Sequence, residues 1–322
     1  MERRYWYGLD REVAAAGFGC WQLAGQHEID GKPHGFGDIA ARDAVSLVHV
    51  ALDRGVRFFD TAAAYGDGRS EALLGEALAS SQVGQEAVVC TKIALRPEDE
   101  AAGRAGPGLT ELVEQALGRL RRTHIDILLL HGPADATDWC AFDRSVLDGL
   151  RSSGKILAYG VSSRSLAGAE RVLDANFGSC IEWAFNLIER RPAARLFPRL
   201  SEARMNFIAR SPLSRGMIPR GQGRPDSRIF PETDFRSTLP EDWIRWAAVS
   251  AGKLQPLAHP DTLAVFALRY CLSYPEVSAV IPGIHQRWQI EDLLAAAVAG
   301  RLEAAALASI SEAADECYPL WR

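Results

Sequence analysis

Eight short runs rich in β-branched and aromatic residues recur along this chain, and each is followed by a stretch whose apolar residues fall three and four positions apart. That alternation constrains the fold more than any other feature, because parallel strands joined by crossover helices bury both kinds of segment at once. The runs span residues 17–21, 57–60, 87–92, 125–131, 156–162, 180–185, 206–210 and 277–282. Ile127, Leu128, Leu129 and Leu130 are consecutively apolar, as in a strand covered on both faces. Helices are expected at 38–53, 69–79, 109–121, 141–150, 166–173, 193–202, 260–272 and 288–298, with Asp38 and Thr110 as N-caps. An open doubly wound sheet would need a Gly-rich phosphate turn after an early strand. Gly17-Phe18-Gly19-Cys20-Trp21 lacks the third glycine and opens no helix, so within the α/β class a closed (β/α)8 TIM barrel is favoured over a Rossmann fold. The 322 residues allow two domains by length, but eight βα units fill one barrel, and residues 1–322 are expected to form a single domain.

Three segments fall outside the repeat. Residues 5–7 and 11–14 flank Gly8-Leu9-Asp10 and predict a hairpin that plugs the barrel floor, while 302–317 predicts a terminal helix. The longest excursion, 214–259, opens with the Gly and Pro content of a loop at 219–226 and has helical spacing at 242–249. A connection of this length is expected to be either a functional lid or disordered.

Charge and cysteine usage narrow the partners. With 36 Lys+Arg against 41 Asp+Glu the formal charge is −5, which argues against general nucleic-acid binding but leaves room for a local phosphate site. No stretch of 18 uncharged apolar residues occurs and the N-terminal residues lack a secretory h-region, so neither a membrane span nor export is expected. The six cysteines are scattered without a C-x-x-C pair, as expected of reduced, partly buried thiols in a cytoplasmic protein.

The chemistry concentrates where polar residues interrupt strand ends. Asp60 follows Phe58-Phe59, Lys92 follows Cys90-Thr91, and His131 follows Leu128-Leu129-Leu130, which puts all three on the C-terminal rim of a parallel barrel. Tyr65 opens the loop after Asp60 and can lean over the same mouth. Asp60 supplies a counter-ion for Lys92, and the ammonium is expected to lower the Tyr65 pKa toward the useful range. A neutral His131 can donate a hydrogen bond to a carbonyl oxygen. Singly each residue is as ordinary as a turn or cap residue; four complementary groups on adjacent rims are not. Trp21 is expected to wall the substrate mouth, with barrel-end packing as the alternative.

Gly55-Val56-Arg57-Phe58-Phe59-Asp60-Thr61-Ala62, followed by Tyr65-Gly66 and Ser70-Glu71-x-x-Leu74-Gly75, resembles the signature segment of the aldo-keto reductases. Thr91-Lys92, Ile125-Asp126-x4-His131-Gly132-Pro133, Gly154-Lys155-Ile156-x3-Gly160-Val161-Ser162, Ser211-Pro212-Leu213-x-x-Gly216 and Val280-Ile281-Pro282-Gly283 are similar to that family in the same order. The resemblance implies a barrel that binds NAD(P)(H) without a Rossmann domain and reduces an aldehyde or ketone to an alcohol, or the reverse. It places Asp60, Tyr65, Lys92 and His131 on the catalytic tetrad, with Tyr65 as general acid. Trp21, Tyr65 and His131 are then expected to face the substrate.

The implied cofactor residues are Ser162, Ser163, Glu182, Arg210, Ser211, Leu213, Gly216, Pro282, Gly283, His285, Arg287 and Gln289. Several depart from the family pattern. Ser163 stands where an Asn is usual, Glu182 where a Gln is usual, and Arg210 where an aromatic often stacks on the nicotinamide. Glu182 is expected either to pair with Arg210 beside the ring, cancelling its charge, or to point at water; unpaired, its charge would favour the oxidised ring. His285 or Arg287 is expected either to grip a 2′-phosphate or to belong to a surface helix, with Gln289 at a later, usually basic position and Leu293 where an Asn would fall. NADP(H) is the expected cofactor, with NAD(H) the competitor. The 214–259 segment, with seven basic and five acidic residues, matches in position the loop that covers the pyrophosphate. The expected partners are a small carbonyl or alcohol, with no nucleic acid and no membrane, in a monomer or small homo-oligomer. Two alternative functions stay open: a sugar or cyclitol dehydrogenase or epimerase, and a slow-turnover dinucleotide-binding regulatory subunit.

Overall fold

Residues from Ile125 to Leu130 are all buried, leaving no polar face for a surface helix, and the β-branched Ile125 and Ile127 favour extended backbone. The same logic holds at each apolar run. A computed structural model of the chain describes residues 1–29, 31–35, 37, 39–220 and 230–318. In it the runs form β1 (Gly17–Gly19), β2 (Phe58–Asp60), β3 (Val88–Ile93), β4 (Ile125–His131), β5 (Ile156–Ser162), β6 (Cys180–Ala184), β7 (Asn206–Arg210) and β8 (Val277–Ile281). Each strand pairs in parallel with the next in the chain. The sheet closes because Val280 N donates to Ala15 O at 2.8 Å and Gly19 N donates to Pro282 O at 2.9 Å. Gly19 permits this seam, since a Cβ there would stand 2.9 Å from the carbonyl oxygens of Ile281 and Pro282. The fold is the expected (β/α)8 barrel.

Helices surround the sheet, each burying one stripe. The helix Ala41–Asp53 buries Ala44, Leu47, Val48, Ala51 and Leu52, the i, i+3, i+4, i+7, i+8 set. Alternate residues of the strands face inward, so Val88, Cys90, Ile127, Leu129, Cys180 and Ile208 share a barrel core with Trp6 and Val13. Those last two belong to the antiparallel pair Arg3–Trp6 and Arg11–Ala14, and Trp6 stacks on Phe58 with ring centroids 5.0 Å apart. The hairpin thus plugs the floor as the sequence implies. All six cysteines are free thiols and only Cys140 is exposed. Among the described residues no helix is long and apolar enough to cross a membrane.

Several element boundaries move for identifiable reasons. The helix expected at 109–121 is Gly108–Leu120 and starts behind Pro107, whose fixed φ suits a helix entry; Thr110 lies inside the first turn and caps nothing. The segment 193–202 splits into Pro192–Arg195 and Phe197–Leu200 because Pro198 cannot donate to the carbonyl one turn back. Residues 141–143 stay out of the helix Ser145–Ser152, since Asp143 bridges to the 103–105 backbone instead. The 242–249 helix extends to Glu241–Leu254, and 302–317 contracts to Ala304–Ala313. A short antiparallel pair, His27–Ile29 with Lys32–His34, was not expected. Asp38 and residues 221–229, including Arg224, Asp226 and Arg228 of the expected lid, lie outside the described residues.

One buried carboxylate ties the floor to the wall. Asp126, 1% exposed, accepts from Val89 N at 2.9 Å, from Arg11 Nη2 at 2.8 Å and from Arg122 Nη2 at 3.3 Å, joining β3, the hairpin and β4. Replacing Asp126 by Ala strands these donors and is expected to cost about 3 kcal/mol in urea unfolding at neutral pH. A loss under about 0.5 kcal/mol would mean that these hydrogen bonds do not hold the floor to the wall.

Candidate active site

On four of the strands the inward face is apolar at its lower end and polar at the rim. On β3 the sequence runs Val88, Cys90, Lys92; on β4 it runs Ile127, Leu129, His131; on β2 Phe58 precedes Asp60, and on β6 Cys180 precedes Glu182. Parity along a strand therefore delivers these four polar groups to one mouth. Tyr65 joins them from the turn that leads into the helix Arg69–Ala79.

Lys92 is the hub. Its Nζ lies 2.5 Å from Asp60 Oδ1, 2.9 Å from Thr61 O, 3.2 Å from Tyr65 Oη and 3.5 Å from Glu182 Oε2, with the side chain fully buried. Burial alone would drive the proton off, but Asp60 and Glu182 outweigh it and hold the ammonium well above the usual lysine range. Burial, then the charge of Glu182, pushes the Asp60 carboxyl well above the usual carboxylate range against the pull of Lys92. Asp60, Cys90 and Glu182 offer ligand atoms within 4.8 Å of one another, yet here the positive charge between the two carboxylates is the lysine's.

Two expectations are corrected. The Tyr65 pKa is pushed up to about 12, not lowered: burial dominates, Lys92 pulls it down, and Asp60 and Glu182 push it up again. Glu182 pairs with Lys92 and accepts from Ser162 Oγ at 2.9 Å; it neither pairs with Arg210 nor points at water. The strand register explains this, because Ala184, not Glu182, stands opposite Arg210. Arg210 therefore sits two residues nearer the rim, about 6.6 Å along the strand, and donates to Ser163 O at 3.2 Å.

These groups open into a cavity of about 950 Å³. His131 meets Tyr65 edge-on with centroids 6.0 Å apart; burial, then Lys92, lowers its pKa to about 4 and keeps the imidazole neutral. Trp21 lies 6.0 Å from the Tyr65 ring, 4.7 Å from Phe235 and 5.7 Å from His34. His34 and Phe235 were missed in the sequence. An aromatic inside a polar excursion was the available signal for Phe235, whereas the His34 strand is too short to carry a period.

Past β5 and β7 the cavity carries features suited to an anionic ligand. Ser163 Oγ is buried without a hydrogen-bond partner among the described residues. Four residues within 211–216, Ser211, Ser214, Arg215 and Gly216, adopt φ between 48° and 83°, a costly turn of the kind that clusters at functional sites. Leu213 and Gly216 line the cavity, as do Arg210 and Arg215, and neither arginine is ion-paired among the described residues. Burial, then Arg210, lowers the Arg215 pKa to about 10, which leaves it charged at neutral pH.

The residues after β8 divide. Gly283 and His285 line the cavity, and a Cβ on Gly283 would strike the Gln22 amide at 1.9 Å. Pro282 contributes its carbonyl to the barrel seam. Gln289 lines the cavity too, but its Oε1 accepts from His285 N at 2.8 Å and Gln286 N at 2.9 Å, capping the helix Arg287–Ala299. Arg287 donates to Ser46 Oγ at 3.2 Å on the first helix.

A family model described as the Aldo/keto reductase family matches residues 15–315. An uncharacterized oxidoreductase of Bacillus subtilis (strain 168), YqkF, is 27% identical over 310 residues, covering 94% of this chain and 93% of its own. The aldo-keto reductase AKR11C1 of Bacillus halodurans, in its holo form, superposes with a TM-score of 0.75 at 24% identity, covering 100% of this chain and 99% of that one. An aldo/keto reductase of Klebsiella pneumoniae solved with NADP and acetate has a TM-score of 0.70 at 20% identity, covering 97% and 95%.

The neutral state of His131 can be followed by NMR of labelled imidazole. A midpoint at about 4 is expected, rising when Lys92→Met removes the neighbouring charge; a midpoint near the ordinary 6.5 would contradict the electrostatic description of the site.

Proposed function

Because the chain belongs to the aldo/keto reductase family, and so is an NAD(P)H-dependent oxidoreductase, we propose that its barrel mouth reduces an aldehyde or ketone to an alcohol, or runs the reverse, with Tyr65 as general acid or base. The observation that carries this reading is the contact of Lys92 Nζ with Tyr65 Oη at 3.2 Å, backed by Asp60. When bound, a nicotinamide supplies or accepts the hydride; the chain supplies the proton and the binding surface.

A pKa of about 12 keeps Tyr65 fully protonated at neutral pH, so its proton is held until charge develops on the carbonyl oxygen. An alkoxide is about as basic as hydroxide, whose conjugate acid has a pKa of about 15.7, so transfer from Tyr65 runs downhill. Lys92 then faces the phenolate and stabilises it. His131, held neutral, keeps an N–H to donate to the same oxygen and orient it. Trp21, His34 and Phe235 wall the approach and favour a substrate with a planar or apolar flank beside its carbonyl.

The cofactor residues follow from the cavity. Ser162, Ser163 and Glu182 are the proposed contacts for the carboxamide: the free Ser163 hydroxyl can donate to its oxygen and Glu182 can accept from its nitrogen. Arg210 and the 211–216 turn, with Ser211, Leu213, Arg215 and Gly216, would hold the ring and the pyrophosphate, and Gly283 and His285 the adenosine side. Gln289 would act by capping and Pro282 through the seam, while Arg287 would have to leave Ser46 to reach a phosphate. NADP(H) is proposed over NAD(H) because the Klebsiella relative is complexed with NADP, and Arg287, once released from Ser46, is the cation proposed to meet the extra phosphate.

Tyr65→Phe should lower turnover of a generic aldehyde by about 10²–10⁴-fold while leaving dinucleotide affinity unchanged in a fluorescence titration, with NADPH binding tighter than NADH. Retained turnover would remove Tyr65 from the chemistry. Binding without Tyr65-dependent turnover would instead support a regulatory dinucleotide-binding subunit.

A further inference from the structure

The site holds more negative charge than its lysine can answer. Lys92 is already 2.5 Å from Asp60, yet Glu182, 1% exposed, sets a second carboxylate 3.5 Å from the same ammonium. The other oxygen of Glu182 meets only the neutral Ser162 hydroxyl, and Oε2 has no hydrogen-bond partner among the described residues. Arg210, which lines the same cavity, lies one layer higher and is turned to the Ser163 backbone. His131 is neutral, and burial holds the neighbouring thiols of Cys90 and Cys180 protonated. The triad of Asp60, Glu182 and Lys92 therefore either carries one net negative charge or retains a proton to avoid it. Ionised, it is short of one positive charge; protonated, it is neutral and can release that proton when a cation is placed beside it.

We propose that Glu182 supplies a preference for the oxidised, cationic dinucleotide, so that the protein binds NADP⁺ more tightly relative to NADPH than it would with a neutral residue at 182. The inference rests on the proposed function of this cavity. A nicotinamide ring is positive only when oxidised, and hydride exchange requires it to reach a carbon whose oxygen Tyr65 serves, at the end of the cavity that Glu182 lines. A carboxylate in surroundings of low dielectric stabilises that cation and gives the neutral ring no such gain. Glu182 thereby also stabilises positive charge that grows as hydride leaves, and so favours carbonyl reduction on the enzyme.

The test is a fluorescence titration of wild type, Glu182→Gln and Glu182→Asp with NADP⁺ and with NADPH at one pH and salt concentration. Glu182→Gln, similar in shape and neutral, is expected to weaken NADP⁺ relative to NADPH by roughly tenfold. Glu182→Asp keeps the charge and should hold the wild-type ratio within about threefold. An unchanged ratio in Glu182→Gln, with both nucleotides still bound, overturns the proposal and leaves the proposed function standing. An equal change in both variants overturns it as well, because shape would then decide. If wild type binds neither nucleotide, the proposed function fails and the inference fails with it.

Discussion

A fully buried ammonium at the end of a barrel strand is the constraint on which the rest of this site depends. An uncompensated charge at Lys92 would cost several kcal/mol, so the fold must surround it with acceptors, and it does so with the Asp60 carboxylate, the Thr61 carbonyl and the Tyr65 hydroxyl. Each of those partners is thereby fixed in place. The Thr61 and Tyr65 contacts order the loop after β2, and that loop carries Tyr65 into the mouth beside His131. Satisfying one lysine builds most of the proposed proton-transfer apparatus.

The barrel makes this arrangement possible by repeating one rule. Residues two apart on a strand share a face, so an apolar core near the hairpin plug passes into a polar layer at the rim without any change of architecture. The floor closes with Trp6 against Phe58 and with Asp126 gathering donors from three elements. A firm floor and wall hold the rim groups still, and a proton relay needs that rigidity more than it needs any particular loop. Above the rim, the left-handed residues around Ser214 and Arg215 turn the chain sharply beside the cavity and present cations with no carboxylate partner among the described residues. The same chain that is acidic overall is therefore locally suited to phosphate.

Much of this is legible in the sequence. The apolar runs set the strands, their number set the closure, and polar residues at strand ends marked Asp60, Lys92 and His131. Strand parity could also have found Glu182, since it shares a face with Cys180, but its partner could not be read: the choice between Lys92 and Arg210 depends on the stagger between β6 and β7, which no single strand encodes. The acidity of Tyr65 is hidden from the sequence for a related reason. Sequence shows that a lysine is near, but whether burial outweighs it depends on the whole enclosure, including Glu182. The break at Pro198 was visible as a proline, whereas the His27–Ile29 and Lys32–His34 pair and the role of Phe235 arise from tertiary packing alone.

In the proposed function this mouth couples hydride transfer to proton transfer at one carbonyl. Incubating the protein with 4,4-dideuterated NADPH and an aldehyde, then locating the label in the product by mass spectrometry, tests it directly. One deuterium on the carbinol carbon is the predicted result, with the hydroxyl hydrogen drawn from solvent. An alcohol without deuterium on that carbon, or no alcohol from any aldehyde despite bound NADPH, would contradict the account.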